Sequence, residues 1–289
     1  MKQLLVLSGK GGTGKTTVSS ALIALSGAKA FADCDVDAPN LHFVTAQDIK
    51  PQTSDYYGFQ KAYIDSEKCI RCGLCAETCR FNAIHDFTVN VSECEGCAVC
   101  SEICPVNAIE MKDFSSGELM LYKDQVRTFS TAKLRTGSGA SGKLVTAVKK
   151  QLKDNSDNSE FAIIDGSPGI GCPVIASISG VSMVLIVAEP TVSGIHDMKR
   201  TIETAKKFGT KCAVCINKYD VNESKSDEIE EYCNSIDIKV LGRIPYDKTV
   251  SISVNKCKSI AEYPESSAAK AIVQIWDKIK KYIFKESLI

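Results

Sequence analysis

Two sets of residues in this sequence have the types and spacing to do chemistry. The first is Ser8–Thr17, SGKGGTGKTT, placed directly behind the apolar run Gln3–Leu7. Gly9, Gly14, Lys15 and Thr16 complete the pattern G-x-x-x-x-G-K-[ST], which requires a strand before it and a helix after it. Glycines permit positive φ and a close approach of backbone N–H groups to phosphate oxygens. The following helix adds the positive end of its dipole. Gly11, Gly12, Thr13, Gly14, Thr16 and Thr17 are thus expected to cradle phosphates. Lys15 reaches the β/γ-phosphates, and the Thr16 hydroxyl binds Mg²⁺.

The second set is cysteine. Cys69, Cys72, Cys75 and Cys79 form one C-x₂-C-x₂-C-x₃-C unit, and Cys94, Cys97, Cys100 and Cys104 form another, offset by 25 residues. Each unit runs on into Asn-Ala-Ile, which fits a short strand after a helix. Three thiolates close in sequence cap three irons of a cubane, and the fourth, one helical turn on, faces the other cluster. Cys69, Cys72, Cys75 and Cys104 are expected to hold cluster one, and Cys94, Cys97, Cys100 and Cys79 cluster two. Zinc also suits thiolate quartets, but the doubled spacing favours two [4Fe-4S] clusters. A unit of this size builds little core, so clusters that only staple the fold are a competing reading.

The elements that position these residues read as alternating strands and helices. Lys15–Leu25 has Val18, Ala21, Leu22 and Leu25 at helical spacing, with Gly27 as a stop. Ala28–Ala32 is a buried strand that delivers Asp33, Asp35 and Asp37 to the ligand-binding edge of a parallel sheet. Asp37, before Pro39-Asn40, equally suits a turn. From about residue 65 to 112 this rhythm stops. Glu118–Lys123 and Val126–Leu134 then read as strands, and Ser141 as the cap of a helix bearing Leu144, Val145, Val148 and Leu152. Ser141-Gly142-Lys143 lacks the strand and glycines of a second phosphate loop. Phe161–Ile164 is a strand ending in Asp165-Gly166-Ser167-Pro168-Gly169, where a carboxylate can hold Mg²⁺ and a glycine loop can move. Val184–Val187 leads to Glu189-Pro190-Thr191 and a helix capped by Ser193. Lys211–Ile216 leads to Asn217-Lys218-Tyr219-Asp220, and a further strand ends at Ile244-Pro245-Tyr246-Asp247. The last helix, about 266–285, carries Ile272, Ile275, Trp276, Ile279 and Ile283 beside Lys278, Lys280 and Lys281. It reads as core packing with a solvated lysine face.

Lys10, a second lysine inside the loop, makes the chain resemble the deviant-Walker family of MinD, the Mrp-type cluster carriers and the nitrogenase iron protein. In that family the extra lysine reaches the partner's nucleotide, so the resemblance implies an ATP-sandwich dimer. It also implies that Asp35 orients the attacking water, that Asp33 and Asp165 serve Mg²⁺, and that Gly169 is a pivot. The amide of Asn217 would read the adenine edge, with Pro245 and Tyr246 lining the pocket. Asn217 and Asp220 also have the spacing that reads guanine in GTPases; an amide serves either base, and Lys10 favours ATP. Cys212 and Cys215 resemble the bridging motif of Mrp-type carriers but interrupt a strand and read as core. Cys172 is either a coupling residue beside the second switch or a small apolar side chain. The doubled cysteine unit resembles bacterial two-[4Fe-4S] ferredoxins, with Arg80 where that pattern has Pro.

Composition bounds the rest. The 289 residues allow one large or two modest domains, and a formal net charge of +0 offers no footprint for nucleic acid. No apolar run suits a membrane span, and Met1–Leu7 leaves no room for a cleavable signal, so a cytoplasmic location is expected. Fourteen cysteines there argue for metal or redox chemistry. Between residues 65 and 112, eight Asp/Glu against four Lys/Arg give a formal −4, which suits a basic patch on a redox partner.

The expected architecture is a doubly wound, mostly parallel α/β P-loop NTPase over 1–58 and 113–289. A two-[4Fe-4S] ferredoxin module is inserted over 59–112. The expected function is ATP hydrolysis that switches a dimer and gates electron transfer. The alternatives are delivery of a cluster to an apo-protein, and a positioning ATPase with structural clusters. Pairing is expected with itself or with a related ATPase, and stable membrane insertion is not.

Overall fold

The structure, a computed structural model, describes residues 1–45, 48–156 and 159–284. The chain opens with β1 (Lys2–Ser8), α1 (Lys15–Ser26), β2 (Ala30–Asp33), α2 (His42–Thr45) and β3 (Gln52–Tyr57). A cysteine-bearing stretch follows: β4 (Lys61–Ile64), α3 (Leu74–Thr78), β5 (Ile84–His85), β6 (Thr88–Val89), α4 (Val99–Glu102) and β7 (Ile109–Lys112). Next come β8 (Ser115–Lys123), β9 (Thr128–Leu134), α5 (Ser141–Asp154), β10 (Phe161–Pro168) and α6 (Cys172–Ile178). The remainder is β11 (Met183–Ala188), α7 (Val192–Lys207), β12 (Lys211–Asn217), α8 (Glu223–Ser235), β13 (Lys239–Ile244), α9 (Lys248–Asn255) and α10 (Ser267–Ile283).

The main sheet has nine strands in the order β13-β12-β11-β1-β10-β2-β9-β8-β3. Pairing is parallel from β13 to β9, and β8 and β3 add antiparallel strands at one edge. Strands covered on both faces need apolar side chains at every position, and Leu4–Leu7 meet that need with alternating directions. Leu4 and Val6 pack into the layer of α1 and α10, while Leu5 and Leu7 pack into the layer of α5, α6, α7 and α8. Crossovers leave β1 in both directions, so the loop behind it lies where the strand order reverses. Ligands of open α/β sheets bind at such a point.

The cysteine stretch stands apart from this sheet. Its outer strands β4 and β7 pair antiparallel from Lys61↔Lys112 to Ile64↔Ile109, so the chain arrives and leaves side by side. β5 and β6 form a separate hairpin. A small core of Ala62, Cys75, Ala83, Ile84, Cys94 and Ile109 holds the stretch together.

Two expected helix caps are corrected. α7 is capped by Thr191, whose hydroxyl accepts from the Gly194 N–H at 3.0 Å, and Ser193 lies inside the first turn. α5 begins at Ser141 after a left-handed Ala140 and has no side-chain cap. The apolar face of α10 (Ile272, Ile275, Trp276, Ile279, Ile283) is buried in the core as expected. No helix among the described residues is long and apolar enough to cross a membrane.

Candidate functional site

The loop between β1 and α1 has the backbone that a phosphate cradle requires. Gly14 has φ 93°, and a Cβ there would stand 2.2 Å from Asn217 Nδ2, so no larger residue fits. A Cβ at Gly9 would stand 2.3 Å from that of Asp197. Gly11 and Gly12 have open space around them. Lys15 is nearly enclosed, and its Nζ lies 2.9 Å from Asp165 Oδ1 within β10. Ser19 donates to the same oxygen at 2.7 Å, and Thr16 donates to Oδ2 at 2.8 Å. Burial opposes the Lys15 ammonium, but the charges of Asp165 and Asp33 outweigh it and hold its pKa above the usual lysine value. Thr13 Oγ1 is buried with no hydrogen-bond partner. An anion in the cradle can accept from it, and Thr16 with Asp165 forms an oxygen pair of the kind that holds Mg²⁺.

The carboxylates after β2 divide their duties differently from the expectation. Asp33 is fully buried and accepts the N–H groups of Asp35 (3.0 Å), Asn40 (2.9 Å) and Leu41 (3.0 Å). Its oxygens order the loop that carries Asp35 and are not presented to a metal. Asp35 is half-buried, and burial pushes its carboxyl above the ordinary value. Asp37 is exposed.

Lys10 lies against its own subunit. Its Nζ is 3.0 Å from Glu189 Oε2 and 3.2 Å from the hydroxyls of both Thr191 and Ser193. Glu189 also pairs with Lys218 at 3.1 Å, and Lys218 reaches the Gly12 carbonyl at 3.3 Å. Sequence reasoning assigned Glu189 no role, although a carboxylate just past a buried parallel strand is a recognisable signal.

A cavity of about 260 Å³ beside the cradle is lined by Gly12, Gly14, Thr17, Asn217, Lys218, Pro245 and Tyr246. The expected base-contacting residues are therefore together. Asn217 donates its amide to the Thr13 carbonyl at 2.6 Å, tying β12 to the loop. Asp220 accepts the Tyr246 N–H at 2.7 Å and so positions the loop after β13. That role was hidden behind its reading as a base contact.

The eight spaced cysteines separate into two quartets, each drawn from both repeats. Cys79, Cys94, Cys97 and Cys100 line one cavity, of about 330 Å³. Cys69, Cys72, Cys75 and Cys104 line a narrower one of about 20 Å³. Backbone N–H groups point at the crossing sulfurs, Ala83 to Cys79 Sγ at 3.4 Å and Ala108 to Cys104 Sγ at 3.2 Å. No group of three or more His, Cys, Asp or Glu among the described residues is gathered tightly enough for a single metal ion. Thiolates spread around a cavity, with amides aimed at their sulfurs, suit a polynuclear cluster better than a lone ion.

Three further cysteines, two in β12 and one in α6, lack such a setting. Cys212 and Cys215 belong to opposite core layers, as positions three apart on a strand must, so they share no ligand. Burial pushes the Cys215 thiol up to about 12. Cys172, at the start of α6, is exposed and packs on Gly142.

A glycine-rich loop at the switch point of a parallel sheet, with a buried lysine and an opposed carboxylate, defines a P-loop nucleotide-binding α/β protein. The chain belongs to the CobQ/CobB/MinD/ParA nucleotide binding domain family, whose model matches residues 4–260. An uncharacterized protein of Methanocaldococcus jannaschii is 34% identical over 290 residues, covering 97% of both chains. The septum site-determining protein MinD of Pyrococcus horikoshii, solved with Mg-ADP, superposes with a TM-score of 0.62 at 18% identity. That match covers 100% of this chain and 99% of the other. The cytosolic Fe-S cluster assembly factor NBP35 of Eremothecium gossypii is 22% identical over 152 residues, 46% of each chain.

Proposed function

We propose that this chain is an ATP-hydrolysing iron–sulfur protein in which nucleotide-driven dimer switching gates electron transfer through two [4Fe-4S] clusters. The observation that carries this reading is the partition of eight cysteines into two quartets, within the same chain as a complete phosphate cradle. Bound clusters would supply one-electron chemistry, held by Cys69, Cys72, Cys75 and Cys104 and by Cys79, Cys94, Cys97 and Cys100.

In this reading the loop amides and Lys15 bind the triphosphate, Thr16 and Asp165 hold Mg²⁺, and Asp35 orients water for attack. Asp33 holds the Asp35 loop through its backbone contacts. Lys10 leaves Glu189 to reach a partner's nucleotide, so dimer closure and release follow the state of the γ-phosphate. Asn217, Pro245 and Tyr246 receive adenine. All eight thiolates come from one chain, which favours permanently held clusters and hence electron transfer.

The test is an anaerobic redox titration with and without Mg-ATP. A nucleotide-dependent shift of either midpoint is expected, and its absence would remove gating. The relationship to NBP35 supports a second reading, assembly or delivery of clusters. It requires transfer of iron and sulfide to an apo-protein in a chelator-resistant assay, and a cluster content unchanged after incubation with the acceptor excludes it.

A further inference from the structure

We propose that the buried ammonium of Lys61 gives the cluster held by Cys79, Cys94, Cys97 and Cys100 a higher reduction potential than its neighbour. An electron delivered to the module would then come to rest at the cluster beside the nucleotide-binding layers. This inference rests on the two-cluster reading above.

Lys61 opens β4 and is 3% exposed. Its Nζ donates to the carbonyl oxygen of Cys94, and no carboxylate among the described residues forms an ion pair with it. The Phe114 ring lies near it, 5.9 Å from Nζ to centroid. The next residue, Ala62, lines the larger cavity together with Met111. A cluster gains negative charge on reduction, so a fixed cation nearby favours the reduced form, most strongly where water does not screen it.

The other half of the module lacks this charge. The 25-residue repeat places Asp86 where Lys61 stands, in an exposed turn with φ 46°. The narrower cavity is lined by no charged residue. Each half does carry one exposed arginine, Arg80 on the larger cavity and Arg71 over the Phe87 ring of the narrower one. The arginines largely offset each other, and Glu95, which also lines the larger cavity, is exposed and screened by water, leaving Lys61 as the buried difference.

The same end of the module faces the main sheet. A Cβ at Gly137, after β9, would stand 3.2 Å from the Ser92 carbonyl oxygen, and one at Gly139 3.3 Å from Glu95 Oε2. Lys143 on α5 lies 4.0 Å over Phe59, and Gly142 beside it packs on Cys172, which follows the end of β10. The narrower cavity is lined by Ile70, Leu74 and Val106, all exposed, and none of its lining residues is among these contacts, although exposed Phe81 and Val99 line the larger cavity too. One electron from a low-potential one-electron reductant would therefore enter there. It would pass inward, reoxidising the outer cluster as it reduces the inner one.

The experiment is an EPR-monitored dithionite titration of the anaerobically prepared full chain. Two separated one-electron midpoints are expected. Lys61→Met should lower the higher one by about 59 mV or more, a tenfold change in the electron's distribution, and leave the lower one in place. Lys61→Arg should retain the separation, and Lys112→Met, at an exposed position, should leave both midpoints unchanged. Coincident midpoints in the natural protein, or a Lys61→Met variant that moves neither midpoint or only the lower, would overturn the proposal. Should Lys61→Met fail to assemble, the natural protein still decides: separation due to a buried charge persists from about 0.1 M to about 1 M salt, and its collapse would refute the role of Lys61. Absence of iron and sulfide from the natural protein would instead overturn the two-cluster reading beneath it.

Discussion

Lys15 and Asp165 form an enclosed ion pair at 2.9 Å that joins the first turn of α1 to β10. Removing one partner of a buried pair leaves the other charge uncompensated, at about 3 kcal/mol. Lys15→Ala is therefore expected to lower the urea midpoint as well as to abolish ATP turnover. Lys15→Ala combined with Asp165→Asn should recover most of the stability and none of the turnover. Equal stability of Lys15→Ala and the parent would contradict the pairing.

Asp33 carries a pH signature. Burial and the neighbouring Asp165 charge push it up to about 7, against the pull of Lys15 and of its three backbone donors. With the folded value above the unfolded one, its stabilising contribution is complete below about pH 4 and is lost as pH rises through about 7. Urea midpoints should fall across that window, and Asp33→Asn should flatten the fall. A slope that survives the substitution assigns it to another group.

Glu189 holds Lys10 within its own chain, so the proposed dimer closure would have to break that contact. The pair is partly exposed and worth about 1 kcal/mol or less. Glu189→Gln is expected to tighten the Mg-ATP-dependent dimer roughly fivefold in sedimentation velocity. Lys10→Ala should abolish dimer-dependent hydrolysis. A weaker dimer in Glu189→Gln would mean that Glu189 supports closure.

What was legible in the sequence is what short-range pattern dictates. The phosphate loop specifies its own strand and helix, the apolar runs 161–164 and 184–187 mark buried parallel strands, and cysteine spacing foretells which thiols meet. Contacts between distant segments were not legible. Glu189 meets Lys10 across 179 positions, and Asp33 folds its loop back through amides that no side-chain pattern announces. Caps failed for a local reason. Thr191 and Ser193 both offer hydroxyls, and where β11 ends decides between them. The edge strand β3, QTSDYY, is largely exposed and polar, so it carried no apolar signal.

Among the described residues, Asp220 reaches the base pocket through the Tyr246 N–H, at 2.7 Å. Losing that bond frees the loop after β13 without removing a pocket side chain. Asp220→Ala is expected to weaken ATP binding about fivefold, near 1 kcal/mol, in a fluorescent-nucleotide titration. Tyr246→Ala should weaken it further. A switch in preference from ATP to GTP on Asp220→Ala would instead show direct base contact.

Cys79 tests the crossed arrangement of the module. It lies in the first repeat, yet it lines the cavity of Cys94, Cys97 and Cys100, and its sulfur accepts from Ala83 N–H. Replacing its thiolate by a hydroxyl removes a soft ligand from that quartet and leaves Cys69, Cys72, Cys75 and Cys104 complete. Cys79→Ser is expected to lose or convert one cluster, with iron content falling by up to half, and to keep the lower-potential EPR signal of the outer cluster. Cys104→Ser should do the reverse. If Cys79→Ser instead abolishes the outer signal, each repeat binds its own cluster and the crossed pairing is wrong.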